Sequence, residues 1–170
     1  MGVSAFQIGM LNEAIDAYKK TILLNPNFAD AYCNMGVALN QKGNVDEAIE
    51  LYNKALSIMP DYADAYYNLG NALKDQGKFD EAIEAYKSAV LIKPDYAEAY
   101  CNSGMVFQDQ GKLDEAVKFY KKSISIKPDS AKSYRNMGIS LQNLGKTKEA
   151  VNSYNMALSI NPDYAEAHKN

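Results

Sequence analysis

Apolar and small residues return along the chain in two alternating helical rhythms. In one kind of segment they recur as Tyr66, Leu69, Gly70 and Leu73, spaced three and four apart. In the other they recur as Ala48, Ile49, Tyr52, Ala55 and Leu56. Both spacings trace one face of an α-helix, and neither shows the strict alternation of a strand. The two kinds follow one another along the chain, so the pattern predicts helix pairs throughout. Each pair carries more apolar face than one hairpin can hide. Neighbouring pairs must therefore stack.

The punctuation has a single period. Pro26, Pro60, Pro94, Pro128 and Pro162 are 34 residues apart, and the chain has no other proline. The glycines form two series with that period: Gly2, Gly36, Gly70, Gly104, Gly138, and Gly9, Gly43, Gly77, Gly111, Gly145. One 34-residue unit thus explains every glycine and proline. With proline at position 32 of the unit, residues 1–28 are a truncated repeat and 29–62, 63–96, 97–130 and 131–164 are full repeats. Residues 165–170 begin a further helix. The expected architecture is one all-α array, an α-solenoid of helix-turn-helix repeats spanning 1–170. In each unit, helix A should end before the position-15 glycine, which supplies a left-handed residue. Proline should stop helix B. Asp61 with Asp64 and Asp95 with Glu98 resemble capping boxes that would open helix A. Asn12, Asp46, Asp80 and Asp114 at position 18 are the expected caps of helix B; the last unit has Thr147-Lys148 there. Position 8 is always glycine and position 20 always alanine. Both are small, as the close crossing of two helices requires.

These residues resemble the tetratricopeptide repeat: an aromatic at position 4, glycine at 8, alanine at 20, tyrosine at 24, alanine or serine at 27 and proline at 32. The family often has Trp at position 4, where this chain has Tyr. The resemblance covers the whole chain and implies a right-handed superhelix with helix A lining a concave groove. Runs such as PDYADAYYNLGNALKDQGKFDEAIEAYKSAV are similar, more narrowly, to the repeat superhelix of O-GlcNAc transferases.

Helical geometry places a stripe opposite the core of helix A. At about 100° per residue, positions 4, 7, 8 and 11 centre near ~30° and positions 2, 6, 9 and 13 near ~210°. The stripe reads Asp30, Asn34, Val37, Gln41; then Asp64, Asn68, Asn71, Asp75; then Glu98, Asn102, Met105, Asp109; then Lys132, Asn136, Ile139, Asn143. Position 6 is Asn in every unit that contains it. An amide offers one acceptor and one donor group, which match the N–H and C=O of an extended peptide. Asn34, Asn68, Asn102 and Asn136, with Asn71, are therefore candidate peptide-backbone ligands, and the O-GlcNAc transferase resemblance implies the same role. The other reading is that these amides bond the neighbouring helix. Val37, Met105 and Ile139 are candidates for apolar contacts, and Lys132 and Arg135 for an acidic part of the peptide. Individual bonds contribute only about 0.5–1.5 kcal/mol, so micromolar-class binding is expected. Some members of the family clamp a carboxylate using Lys at position 5, where this chain has Cys33, Tyr67, Cys101 and Arg135. The first Lys and last Arg of that pattern are missing, so no such clamp is expected.

Composition narrows the function. Lys plus Arg is 18 and Asp plus Glu is 21, a formal charge of −3, which excludes the basic stripe of a nucleic-acid surface. No apolar run approaches the ~18 residues of a membrane span. The N-terminus lacks a basic n-region and cleavage site, and Phe6 stands where a myristoylation motif needs Ser or Thr. His168 is the only histidine and sits at position 4, a packing slot. Cys33 and Cys101 both occupy position 5, two repeats apart, too far to bridge in a regular solenoid. Neither a metal site, a cofactor site nor a catalytic set emerges, and reduced thiols suggest the cytoplasm. The expected function is a non-catalytic protein-interaction scaffold binding an extended peptide. The alternative is the substrate-recruiting arm of a larger enzyme such as a glycosyltransferase. Val151, Tyr154 and Leu158 of the last helix B need a neighbour, and Met1–Ile8 and Ala165–Asn170 are complementary half-helices. Head-to-tail self-association is expected from them.

Overall fold

The computed structural model describes residues 5–162. The described residues form α1 (Ala5–Leu24), α2 (Ala29–Gln41), α3 (Val45–Ile58), α4 (Ala63–Asp75), α5 (Phe79–Ile92), α6 (Ala97–Asp109), α7 (Leu113–Ile126), α8 (Ala131–Asn143) and α9 (Thr147–Ile160). They divide into two compact units, 1–92 and 93–170.

In the first unit, α2–α3 and α4–α5 are antiparallel hairpins, α1 packs on α2, and α3 packs on α4. Each hairpin turns through a glycine of positive φ, +89° at Gly43 and +73° at Gly77. A left-handed residue lets the turn close on the helix end. The Gly43 N–H reaches the Asn40 carbonyl at 2.9 Å and the Asn44 N–H reaches that of Leu39 at 2.9 Å. Those two bonds satisfy carbonyls that the helix itself leaves open. Alanine occupies the tightest contacts: Ala48, Ala55, Ala65, Ala72, Ala82 and Ala89 are all fully buried.

Helix A buries a wider face than its 4, 7, 8, 11 rhythm predicts. Ala65 and Ala72, at positions 3 and 10, are 0% exposed, while Tyr66 is only half-buried. The reason is that α4 is packed from two directions, by α5 of its own hairpin and by α3 of the preceding one.

Three expectations about helix ends are corrected. First, α1 is one continuous 20-residue helix through Gly9, not a helix A ending before it. Second, helix A opens on the residue at position 34, Tyr62 or Tyr96, and that residue makes no side-chain cap bond. Asp61 and Asp95 lie one residue too early to cap. Ser130 alone among the described helix A starts accepts a bond, from the Ser133 N–H. Third, the N-caps of α3 and α7 are Asn44 and Lys112, and Asp46 and Asp114 fall inside the first turn. There they meet the positive end of the helix dipole and receive a side chain from the next repeat. Gln76 Nε2 donates to Asp46 Oδ1 at 2.6 Å and Lys146 Nζ to Asp114 Oδ1 at 3.2 Å. Position 18 therefore joins repeats instead of capping. Asn12 does the same from within α1, accepting from Lys42 Nζ at 2.6 Å.

In the second unit, α6–α7 and α8–α9 repeat the hairpin, and α8 packs on both α7 and α6. Its core holds Cys101, Ala116, Val117, Tyr120, Met137, Leu141 and Ala150. This unit has a polar seam where the first has alanines. Ser123 Oγ donates to the Ala97 carbonyl at 2.8 Å and lies 2.9 Å from Ser133 Oγ. The corresponding residues between α3 and α4 are Ala55 and Ala65. Nearby, Gln108 Oε1 accepts from both Tyr120 Oη (3.1 Å) and Ser140 Oγ (2.8 Å). On the outer helix, Val151 is 49% exposed, and Tyr154 and Leu158 are half-buried. His168, Ala165–Asn170 and Met1–Ser4, on which the histidine and self-association readings rest, lie outside the described residues.

Candidate functional site

The stripe of each unit is built from its own helix A pair. In the first unit, α2 carries Asn34, exposed, and Val37, half-buried. On α4, Asn68 and Asn71 are half-buried. Asn68 Nδ2 points back across the helix pair to Cys33 Sγ at 3.7 Å. Asn71 Oδ1 accepts from the core tyrosine Tyr86 at 2.7 Å. The acid of α2 is also engaged, since Tyr62 Oη donates to Asp30 Oδ1 at 2.6 Å. Burial, followed by this bond to a carboxylate, pushes the Tyr62 phenol well above its ordinary value.

In the second unit the equivalent amides are not on an open stripe. Asn102 and Asn136 are each 6% exposed. Both carbonyl oxygens face cations of α8: Lys132 Nζ reaches Asn102 Oδ1 at 3.1 Å, and Arg135 lies 3.5 Å from Asn136 Oδ1. The helical-wheel expectation that the column faces away from packed structure therefore holds for Asn34 and fails for Asn102 and Asn136. The wheel omits the long side chains that fold over that column, Lys132 from the next helix A over Asn102 and Arg135 from the same helix beside Asn136. Met105 packs against the core of the unit, and Ile139 is half-buried. Lys132 is exposed and Arg135 half-buried.

The other candidate chemistry is quiet. Cys33 and Cys101 are free thiols, 2% and 3% exposed. Burial raises both above the ordinary thiol value, which suppresses the reactive thiolate. Among the described residues, no group of His, Cys, Asp and Glu is arranged to hold a metal, and no helix is long and apolar enough to cross a membrane. On α1, Asp16 and Lys19 form an exposed i,i+3 pair at 4.0 Å.

Residues that the stripe did not include also matter here. Tyr62 seals the α2–α4 face, whereas the α6–α8 face has Ser130 at that position and a Lys127–Glu98 ion pair at 3.1 Å. The signal was present in the sequence as Phe28, Tyr62, Tyr96 and then Ser130, all one period apart.

Residues 4–43, 38–77 and 70–111 match a family described as TPR repeat, and residues 95–163 match the tetratricopeptide repeat. The chain belongs to the tetratricopeptide-repeat family. The crystal structure of MamA is 30% identical with a TM-score of 0.84, and the likeness covers 98% of this chain and 99% of that one. YrrB, described as a TPR protein with an unusual peptide-binding site, is 26% identical with a TM-score of 0.76, over 96% of this chain and 86% of that one. MamA from Desulfovibrio magneticus RS-1, residues 41 to the end, shares the fold at 21% identity and a TM-score of 0.82, over 91% of this chain and 88% of that one. No curated protein matches the chain. These likenesses establish the repeat fold and family, not the narrower resemblance to O-GlcNAc transferases.

Proposed function

We propose that this tetratricopeptide-repeat chain is a non-catalytic scaffold that holds an extended peptide segment of a partner protein on its helix A faces. The observation that carries the reading is the register of the amides. Asn34, Asn68, Asn102 and Asn136 occupy the same position on α2, α4, α6 and α8, although their neighbours differ. A neutral amide both donates and accepts, and so suits a peptide main chain of any sequence. Val37, Met105 and Ile139 lie beside the amides and give apolar contact, and Asn71 adds a further amide. Lys132 and Arg135 favour an acidic stretch of ligand on the second unit. The peptide-binding site named for YrrB agrees with this class of function. Two buried, reduced thiols suit a reducing, cytoplasmic setting.

The clean test uses the two more accessible amides, because truncating Asn102 or Asn136 also removes its contact with Lys132 or Arg135. Asn34→Ala with Asn68→Ala should weaken every peptide selected from an array by a similar factor, with the circular dichroism spectrum unchanged. If affinity depends on the peptide's side chains alone and ignores both substitutions, the backbone-directed reading fails.

A further inference from the structure

The two units offer the same junction twice, once with a tyrosine and once without. Between α2 and α4, position 34 is Tyr62, whose hydroxyl donates to the acid at position 2, Asp30, at 2.6 Å. Between α6 and α8, position 2 is again an acid, Glu98, but position 34 is Ser130. The backbone does not differ. Tyr62 has φ −88° and ψ 88°, and Ser130 has φ −82° and ψ 86°. The main-chain bond that follows is also the same, Tyr66 N–H to the Tyr62 carbonyl and Tyr134 N–H to the Ser130 carbonyl, both at 3.2 Å. The chain at position 34 therefore keeps its local backbone course where serine replaces tyrosine. Ser130 does not reach across in its stead. Its Oγ turns back onto its own helix, 2.8 Å from Ser133 Oγ.

The groups that would receive a ring remain at the α6–α8 junction. Glu98 is exposed there, whereas Asp30 under Tyr62 is half-buried. Glu98 accepts from its own backbone N–H and pairs with Lys127, both side chains 51% exposed, and such an exposed pair is easily exchanged. Lysine three residues before position 34 is a ring partner elsewhere in this unit: Lys93 Nζ sits 4.5 Å above the Tyr96 ring. Lys127 is the same lysine one repeat later, without its ring. An ammonium over an aromatic face is favourable, and a carboxylate accepting from a phenol is a charge-assisted bond.

We propose that the notch formed by Glu98, Lys127, Ser130 and Lys132 accepts a tyrosine side chain from the bound peptide. Its hydroxyl donates to Glu98 as Tyr62 donates to Asp30, and Lys127 covers its face. The inference rests on the peptide-scaffold reading above and adds a residue type and a place to it. The notch makes the second unit selective for tyrosine, while the amides hold main chain without regard to sequence.

The test uses N-acetyl-tyrosinamide as the probe, titrated into the isotope-labelled full chain and followed by amide NMR. Saturable shifts centred on Glu98, Lys127 and Ser130 are expected, with N-acetyl-phenylalaninamide binding more weakly for want of the hydroxyl. Ser130→Tyr supplies the ring internally and should weaken probe binding at least about tenfold, while the protein melts no lower than the parent. Tyr62→Ser makes the reciprocal change and should create a second saturable site beside Asp30. Absence of saturable shifts in the parent overturns the proposal, as do shifts that persist undiminished in Ser130→Tyr. Asn34→Ala with Asn68→Ala should leave the probe shifts intact, so failure of the amide reading and failure of the notch are separate results.

Discussion

The Tyr86 ring lies against the backbone of Gly70 so closely that a Cβ built on the glycine would stand 2.6 Å from Cε1 of that ring. Gly36 with Tyr52, Gly104 with Tyr120 and Gly138 with Tyr154 repeat the relationship at 2.6–2.7 Å. The glycine at position 8 and the tyrosine at position 24 are thus one packing unit. The tyrosine hydroxyl is carried through to a polar partner on helix A. Tyr120 reaches Gln108 and Tyr154 reaches Gln142, both at position 12. Position 12 of the third repeat is Lys74, a donor, and there Tyr86 turns to Asn71 at position 9.

Truncating this pair should be costly from either side. Tyr86→Ala removes a fully buried ring and is expected to lose about 3–5 kcal/mol of stability. Gly70→Ala forces the ring or the helix to move and should lose about 1–3 kcal/mol. Tyr86→Phe keeps the ring, loses the hydroxyl that bonds Asn71, and should cost about 1 kcal/mol. Urea unfolding of the three variants gives the order directly. A Gly70→Ala protein as stable as the parent would contradict the contact.

The thiols should be slow. Burial raises Cys33 and Cys101 above the ordinary thiol value, so folding favours their protonated forms. The sign follows from linkage. A raised folded value gives stability that is complete below the unfolded thiol value and is lost as pH climbs through the folded one. We expect both cysteines to react with a disulfide reagent far more slowly in the native protein than in urea, and the native chain to weaken in alkaline buffer. Rapid stoichiometric labelling of the folded chain would show that these side chains are not enclosed.

Much of this was legible because the repeat puts one physical demand at one position each time. Gly43, Gly77, Gly111 and Gly145 all have positive φ, and their spacing announced it. The alanines and tyrosines of the hairpin core were equally readable. What escaped were relations between repeats. Asp46 looked like a cap, because acids near a helix start usually are, yet its partner is Gln76 from the following repeat. Asn102 looked exposed on a helical wheel, yet Lys132 lies over it. In both cases the deciding atom belongs to another repeat, about 30 residues away in sequence, and no local pattern reveals how far that side chain reaches.

An ion pair at the α6–α8 face gives a pH test. The Lys127 ammonium bonded to Glu98 holds that carboxyl below the ordinary Glu value, and the same bond raises Lys127. For Glu98 the stabilising contribution is present above the unfolded Glu value and disappears as pH falls through the folded one. For Lys127 it is present below the unfolded Lys value and disappears as pH rises through the folded one. Both side chains are half exposed, so the effect is small and screened by salt. Glu98→Gln should flatten the acid limb of the stability profile slightly, and added salt should shrink the difference between variant and parent. An acid limb identical in the two proteins at low salt would remove the pair from any role in stability.

The polar seam between α7 and α8 makes the sharpest energetic test. Ser123 and Ser133 are 1% and 0% exposed and bonded to one another. The alanine pair at these positions between α3 and α4, Ala55 and Ala65, is equally buried. Each single substitution to alanine leaves one hydroxyl short of a partner in a dry contact. Ser123→Ala also frees the Ala97 carbonyl from its bond. A loss of about 1–2 kcal/mol is expected for Ser123→Ala, and less for Ser133→Ala because Ser123 then keeps its bond to the Ala97 carbonyl. The double variant recreates the apolar contact that already works between α3 and α4, so it should be more stable than the two single losses added together predict. Urea midpoints of the parent, both single variants and the double variant form a cycle whose coupling term isolates the hydroxyl pair. Additive losses would mean that the two serines are satisfied independently and that their 2.9 Å separation carries no energy.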